Sequence, residues 1–419
     1  MARVHPFRAL RYASHLTAQM GDLAAPPYDV ITPEEHRRLE ARHPRNVVRL
    51  ILPGEAGRVE DGTFYQGAAS ILQAWRDDGT LELDPAPAFY AYRQSFHGPD
   101  GRPAARLGFL GALALPDQED RGEVLPHEKT LEGPRRDRTR LILACRANLS
   151  PIFLLHPDST GEAGSALAEA ASRPPLLRFE DASGVVHELW RMDAPDLTRR
   201  LEAAMAPDWT LIADGHHRYE SALAARDLLP GMEGAGYVLA FFCSLKDSGF
   251  RIFPIHRLLR GADSHRSRPI APLGARDGKA IPLAEDAPPD RILEQLARAG
   301  EHHVAVVPHE ERPFLLPLAS PGMSSDPLLD FDTILLQREI FGGWFHLTDE
   351  DIAAGAVGYT ADAAEAIRQV KAGEATAAFL LNPLNVESVV RAAQAGLVLP
   401  QKSTYFYPKV YTGLVIRPF

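Results

Sequence analysis

Short apolar runs of strand length alternate with amphipathic stretches of helix length along nearly the whole chain, and this alternation narrows the fold most. "AFYAYRQSF" (88–96), "RLGFLGALAL" (106–115), "SPIFLL" (150–155) and "GYVLAFFCSL" (236–245) read as strands. "RNVVRLIL" (45–52) and "GFRIFPIHRLL" (249–259) read as two more, and "LLRFEDASGVVHELWRM" as a hairpin. "TFYQGAASILQAWRDDGTL" (63–81), "DAPDLTRRLEAAM", "DRILEQLARAG" and "ADAAEAIRQVKAG" read as helices. Alternation of this kind implies a mixed class, α/β or α+β. No apolar run reaches the roughly 20 residues that span a bilayer.

A chain of 419 residues exceeds one ordinary domain. Residues 261–290 are rich in Pro, Asp and Arg, with little apolar periodicity, and read as a linker or a long surface connection. An N-terminal region over 1–260 and a C-terminal α/β region over 291–419 follow. The formal net charge of −10, and the lack of a helix-turn-helix with a basic face, argue against nucleic acid as the partner. Cys145 and Cys243 lie far apart and fit buried thiols of a reduced compartment. "MARVHPFRALRY" lacks the apolar core of a signal peptide. The expectation is a cytoplasmic protein that acts on a small molecule and spans no membrane. Its oligomeric state leaves no mark in the sequence.

The stretch "WTLIADGHHRYESALAA" (209–225) stands out chemically. An apolar strand leads to Asp214, expected as an N-cap, then Gly215, then a strong helix former. His216, His217 and Arg218 occupy the end where the helix dipole is already positive. They cost less there if an anion sits in front of them. Backbone N–H groups, the dipole end and three cationic or hydrogen-bonding side chains make a phosphate site. A plain strand-turn-helix junction is the bland alternative. A His-ligated metal fits less well, because adjacent His side chains lack the i, i+4 geometry of helical zinc ligands.

Two further segments carry polar chemistry. "LPQKSTYFYPKVYTG" crowds Lys402, Ser403, Thr404, Lys409 and three tyrosines or phenylalanines into a few positions. Cations and hydroxyls suit phosphates, and rings suit a base. The alternative is an edge strand with outward lysines. "VLPHEKT", with "RRDRTR" after it, offers His127, Glu128, Lys129 and Arg138. A glutamate near a hydroxyl acts as a general base, and arginines stabilise a transferring phosphoryl group. Its alternative is a solvated loop. "APPYDVITPEE", "FPIHRLL" with His256 and Arg257, and "FLLNP" with Asn382 read first as structural.

Taken together, "HPFRALRY", "APPYDVI", "LPHEKT", "NLSPIFLL", "IADGHHRYE", "FPIHRLL", "FLLNP" and "LPQKSTYFYPKVYTGLV" resemble the bacterial and archaeal family known as domain of unknown function 1015, in order from residue 5 to 419. More distantly, "LPHE" followed by "DGHHRYESAL" is similar to the free-serine kinases of the ParB-like superfamily. That likeness implies a ParB/serine-kinase-like core with the C-terminal α/β region beside it. It implies a nucleotide-dependent phosphotransferase acting on serine or a similar hydroxylated metabolite, with ATP or ADP as donor. Glu128 would be the base, with His127 beside it, and Asp214, Gly215, His216, His217 and Arg218 the phosphate-binding turn. Arg138, Lys402 and Lys409, with Ser403 and Thr404, would meet phosphate or acceptor charge. Mg²⁺ would bridge the phosphates, with Asp214 as a contact. Two other readings stay open: a nucleotide- or phosphometabolite-binding protein without turnover, and a metal-dependent hydrolase using Asp214, His216 and His217 with His127 or His256.

Overall fold

The computed structural model describes residues 3–52, 63–98, 101–116, 123–260, 270, 273, 280–309, 311–318, 331–400 and 402–419. The chain forms two compact units. The first holds Met1–Pro126, Thr130–Arg251 and Pro408–Phe419, and the second holds His127–Lys129 and Ile252–Tyr407. This differs from the expected boundary at 260. The last dozen residues return to the first unit, and the short piece His127–Lys129 belongs to the second.

The first unit is built on a nine-stranded mixed sheet. Its order is Val124–Leu125, Thr210–Asp214, Ile152–His156, Tyr237–Ser244, Pro103–Ala114, Phe89–His97, Val186–Met192 and Leu177–Glu180, with Val4–His5 pairing off this path with Pro103–Ala114. Val124–Leu125 runs parallel to Thr210–Asp214, and Ile152–His156 parallel to Tyr237–Ser244. The other pairings on this path are antiparallel. Alternation along each strand sends side chains to two faces. Phe109, Ile152, Leu154, Ile212 and Phe242 share one core with Leu167, Leu201 and Leu223 from the helices Glu162–Ala171, Pro195–Met205 and His216–Leu228. Phe153 and Phe241, one residue out of phase, carry the guanidinium of Arg106 at 4.6 and 5.3 Å from their rings.

The second unit has a six-stranded sheet, in the order Ile281–Pro282, Phe314–Pro317, His303–Pro308, Ala377–Leu380, His256–Leu259 and Val357–Thr360. Its described pairings are antiparallel. Val304 and Val306 pack on one face with Leu336, Ile340 and Phe341. Ala305 and Val307 pack on the other with Ile292, Leu296 and Ile367. A sheet covered on both faces needs near-continuous apolar strands, as these are.

Several expectations change. "RNVVRLIL" forms the short helix Val48–Ile51 rather than a strand. Buried Asn46 receives the N–H of Val48 at 2.8 Å and donates to the Asp22 carbonyl at 2.6 Å, so its side chain starts a turn that an apolar run alone does not reveal. "GFRIFPIHRLL" splits into Arg251–Phe253 and His256–Leu259, because Pro254 between them lacks a ladder N–H. The polar stretch after "LPHEKT" becomes the helix Glu132–Cys145. Most of 261–290, the connection expected to be a linker, lies outside the described residues. Among its described residues, Ile270, Leu273 and Leu283 are buried in the second unit's cores. Three apolar anchors without periodicity suffice for that.

Glycines in the first unit give two opposite predictions. A Cβ on Gly108 would stand 2.2 Å from the Phe242 carbonyl oxygen and 2.6 Å from the Phe241 ring. Gly108→Ala should lower unfolding free energy by about 1–3 kcal/mol through overpacking. Gly67, in the helix Thr63–Asp77, meets nothing within 4 Å. Gly67→Ala should raise it by about 0.4–1 kcal/mol. Urea unfolding of both variants checks the pair, and equal effects would contradict the packing described.

Candidate functional site

The strand Thr210–Asp214 runs antiparallel to Ile152–His156, with its register shifting between Ile212 and Asp214. A bulge of this kind re-aims the side chain that follows it. Gly215 comes next at φ 93° and serves as N-cap of the helix His216–Leu228, with no side-chain cap. Asp214 is therefore not the cap that its residue type led one to expect. Its carboxylate is spent elsewhere: Lys409 donates to Oδ1 and Arg218 to Oδ2. Burial alone would raise the Asp214 pKa. Lys409 and Arg218, with His216, reverse that and hold it well below the usual carboxylate range.

Each partner of Asp214 is itself positioned. Arg218 donates through Nη1 to the Pro151 carbonyl and is 7% exposed, so its guanidinium is packed inside the unit. Its guanidinium folds against the turn, and a Cβ on Gly215 would stand 3.0 Å from Arg218 Nε. The glycine is needed both for its left-handed φ and for this close approach. Lys409 is held through its backbone. Gln94 donates to the Lys409 carbonyl at 2.8 Å, and Arg106 donates to the Pro408 carbonyl at 2.6 Å and to Gln94. Arg106 is fully buried, and that burial pulls its pKa down. Sequence reading missed Arg106 and Gln94, which look like ordinary strand residues. The one available signal is a charge opening the apolar run "RLGFLGALAL".

The two histidines of the turn differ. His216 is buried. His217 is half-buried, and its Nε2 accepts the backbone N–H of Leu131 at 2.9 Å. Arg138, on the helix Glu132–Cys145, donates to Asp137 at 2.6 Å and to the Ile51 carbonyl at 2.7 Å, and lies 4.2 Å over the Tyr28 ring. The turn residues 214–218, Arg138 and Lys409 all belong to the first unit.

His127, Glu128, Lys402, Ser403 and Thr404 belong to the second unit. Leu399 donates its N–H to the His127 carbonyl at 2.7 Å. Glu128 Oε1 accepts from the Ser403 N–H and the Thr404 hydroxyl, both at 3.3 Å. His127 is buried against the Phe406 ring, with Nε2 2.9 Å from Thr404 Oγ1. Ser403 donates its hydroxyl to the Pro400 carbonyl at 2.7 Å. Ser403 and Thr404 thus orient a carboxylate, where phosphates had been expected. Lys402 is exposed at φ 59°, and Gln401 lies outside the described residues. Arg257, buried over the Tyr359 ring at 4.8 Å, has its pKa pushed down to about 10 by burial, against the pull of Tyr359 and Glu128. His256 is pushed down to about 4 by burial and then by Arg257, and accepts the Leu381 N–H at 3.2 Å.

Metal chemistry finds little support in the donor set. Among the described residues no group of three or more His, Cys, Asp and Glu side chains is placed to hold a metal. Both Asp214 oxygens already face cations, so this carboxylate does not fit a divalent ion as ligand. Among the described residues no helix is long and apolar enough to cross a membrane.

Comparison with known proteins adds a family. The family described as protein of unknown function (DUF1015) matches residues 4–276, about two thirds of the chain. The chain belongs to this family. The match takes in the LPHE and DGHHR segments and ends before the QKSTYFYPK segment. No curated protein matches the sequence. Solved structures with some likeness include a free serine kinase in complex with AMP, at 15% identity over 68% of this chain and 83% of that one, with a TM-score of 0.35. A conserved hypothetical protein from Pyrococcus furiosus shares 16% identity over 69% and 89%, also at 0.35. SbnI with C-terminal truncation from Staphylococcus aureus shares 12% over 73% and 86%, again at 0.35.

The ion pairs give a pH prediction. Asp214 has a depressed folded pKa, so its contribution to stability is present above the unfolded carboxylate range near 3.9 and is lost as pH falls through the folded value. Lys409→Met should cost about 2 kcal/mol at pH 7, discounted from the 3–5 typical of a broken buried pair because Arg218 remains. The gap between wild type and variant should shrink on acidification. Urea unfolding at pH 7 and pH 3 measures it, and a gap that widens would contradict the pairing.

Proposed function

We propose that the chain is a nucleotide-dependent phosphotransferase that binds donor phosphates at the Gly215 turn and transfers a phosphoryl group to a small hydroxylated metabolite, serine or a similar compound. The observation that carries this reading is the helix start itself. A thirteen-residue helix opens on a left-handed glycine with no side-chain cap, and His216, His217 and Arg218 supply its first backbone N–H groups. The dipole end and these N–H groups favour an oxyanion. Asp214, clamped by Lys409 and Arg218, fixes the turn so that its geometry is pre-formed. In this reading Arg218 and Lys409 act through Asp214 and do not touch the donor phosphates at the turn.

Glu128 is the proposed base. Hydrogen bonds from Ser403 and Thr404 to one oxygen orient the carboxylate while leaving it the lone pairs a base needs. ATP or ADP is the proposed donor. Where a divalent ion accompanies the phosphates, Asp214 is not its ligand.

A second reading is a nucleotide-binding protein without turnover. The observation that favours it is the same Ser403–Thr404 arrangement, which also serves to close a loop.

Glu128→Gln preserves the acceptor oxygen and removes the basicity. With ATP or ADP as donor and serine among the acceptors, transfer should fall by roughly 10²–10⁴. Calorimetric binding of the same nucleotide should be unchanged. His217→Ala keeps the backbone N–H but removes the side chain that ties the turn to the Leu131 N–H, and should instead weaken nucleotide binding by roughly tenfold. Equal loss of transfer and binding in Glu128→Gln would remove the base assignment, and binding with no transfer by wild type would favour the second reading.

A further inference from the structure

A small cleft in the first unit is lined by Tyr28, Arg138, Leu141, Ile142, Ser150 and Arg218, among others. It has about 40 Å³ of room for water-sized particles. At roughly 10–15 Å³ per water, that is room for about three. A small tetrahedral or planar oxyanion matches a space of that size.

The charges around it are unusual. Arg138 and Arg218 are 5% and 7% exposed, so two guanidinium groups line one small cleft with little solvent to screen them. Burying cations is costly unless each is paired and hydrogen-bonded. Arg138 has Asp137, but Arg218 shares the Asp214 carboxylate with Lys409. Arg218 Nε is buried with no hydrogen-bond acceptor among the described residues. Tyr28 stands close to both guanidinium groups: Arg138 stacks on its ring, and both arginines act on its hydroxyl. Burial dominates there, with Asp29 adding to it, and pushes the Tyr28 pKa up to about 12, so the phenol keeps its proton and remains a donor.

We propose that this cleft is a pocket for a small oxyanion, a phosphate or carboxylate group, held by the side chains of Arg138 and Arg218. Arg138 already donates to Asp137 and the Ile51 carbonyl, and Arg218 to Asp214 and the Pro151 carbonyl; their remaining N–H groups match the planar or tetrahedral oxygens of such an anion. The apolar remainder, Leu141 and Ile142, limits what can accompany them to a short aliphatic body. The inference does not rest on the nucleotide reading: there backbone N–H groups of the turn hold phosphates, and here side chains hold the anion.

The test is calorimetric titration of the full chain with inorganic phosphate and, separately, with acetate, at matched ionic strength. Wild type, Arg138→Gln and Ile142→Phe are compared, each with its melting curve. At least one anion should bind wild type and weaken by roughly tenfold or more in Arg138→Gln and in the cleft-filling Ile142→Phe. Phosphate alone binding identifies a phosphate pocket, and acetate alone a carboxylate pocket. If Arg138→Gln fails to fold, Ile142→Phe still decides. Failure of both anions to bind wild type overturns the proposal. So does binding that survives Ile142→Phe, which would assign the anion to a place other than the cleft.

Discussion

One carboxylate between two cations organises the first unit. Asp214 ends a buried strand, and its two oxygens meet Lys409, 195 residues later, and Arg218, four residues later. A carboxylate in so dry a place would be neutral or absent without those partners. Its presence therefore requires that Lys409 be delivered and that Arg218 turn back. Arg106 and Gln94 deliver Lys409 by gripping the backbone at Pro408 and Lys409. Gly215 lets Arg218 turn back, because its missing Cβ leaves room for the guanidinium. The helix start is the consequence, with its first N–H groups set by a network that runs from one sheet face through the C-terminal segment.

The second unit solves a different problem. It receives three residues, His127–Lys129, from far upstream and fixes them against its own late segment. A parallel bridge pairs Glu128 with Leu399, and Ser403 and Thr404 then donate to the Glu128 carboxylate. Arg257 lends positive potential to that carboxylate from a buried position. The chain passes from the LPHEK piece into the helix Glu132–Cys145, and Leu131, at its N-cap, donates to His217.

How much of this was legible depended on the range of the interaction. The alternation of strands and helices was local and read correctly, down to the hairpin Leu177–Glu180 and Val186–Met192. Local sequence also marked Gly215 as a turn and the DGHHR segment as a strand-to-helix junction. It misassigned roles inside that junction. Asp214 is a good cap by type, but a buried carboxylate is claimed by the strongest cations in reach, and Lys409 lies too far along the chain to be foreseen. Ser403 and Thr404 looked like phosphate ligands because hydroxyls beside lysines often are, yet the Ser403 hydroxyl donates to the Pro400 carbonyl, and the Ser403 N–H and the Thr404 hydroxyl donate to Glu128, 275 and 276 residues away. Asn46 turned an apolar run into a helix through one side-chain hydrogen bond. The expected linker held Ile270, Leu273 and Leu283, three anchors too sparse to leave a period.

The most direct measurement is an amide-resonance titration of the isotopically labelled full chain with ADP. The account predicts that the N–H resonances of His216, His217 and Arg218 shift together and saturate, with the phosphorus resonances of the nucleotide moving along the same curve. Shifts that saturate elsewhere while these three stay fixed would contradict it, as would a nucleotide that moves no resonance at all.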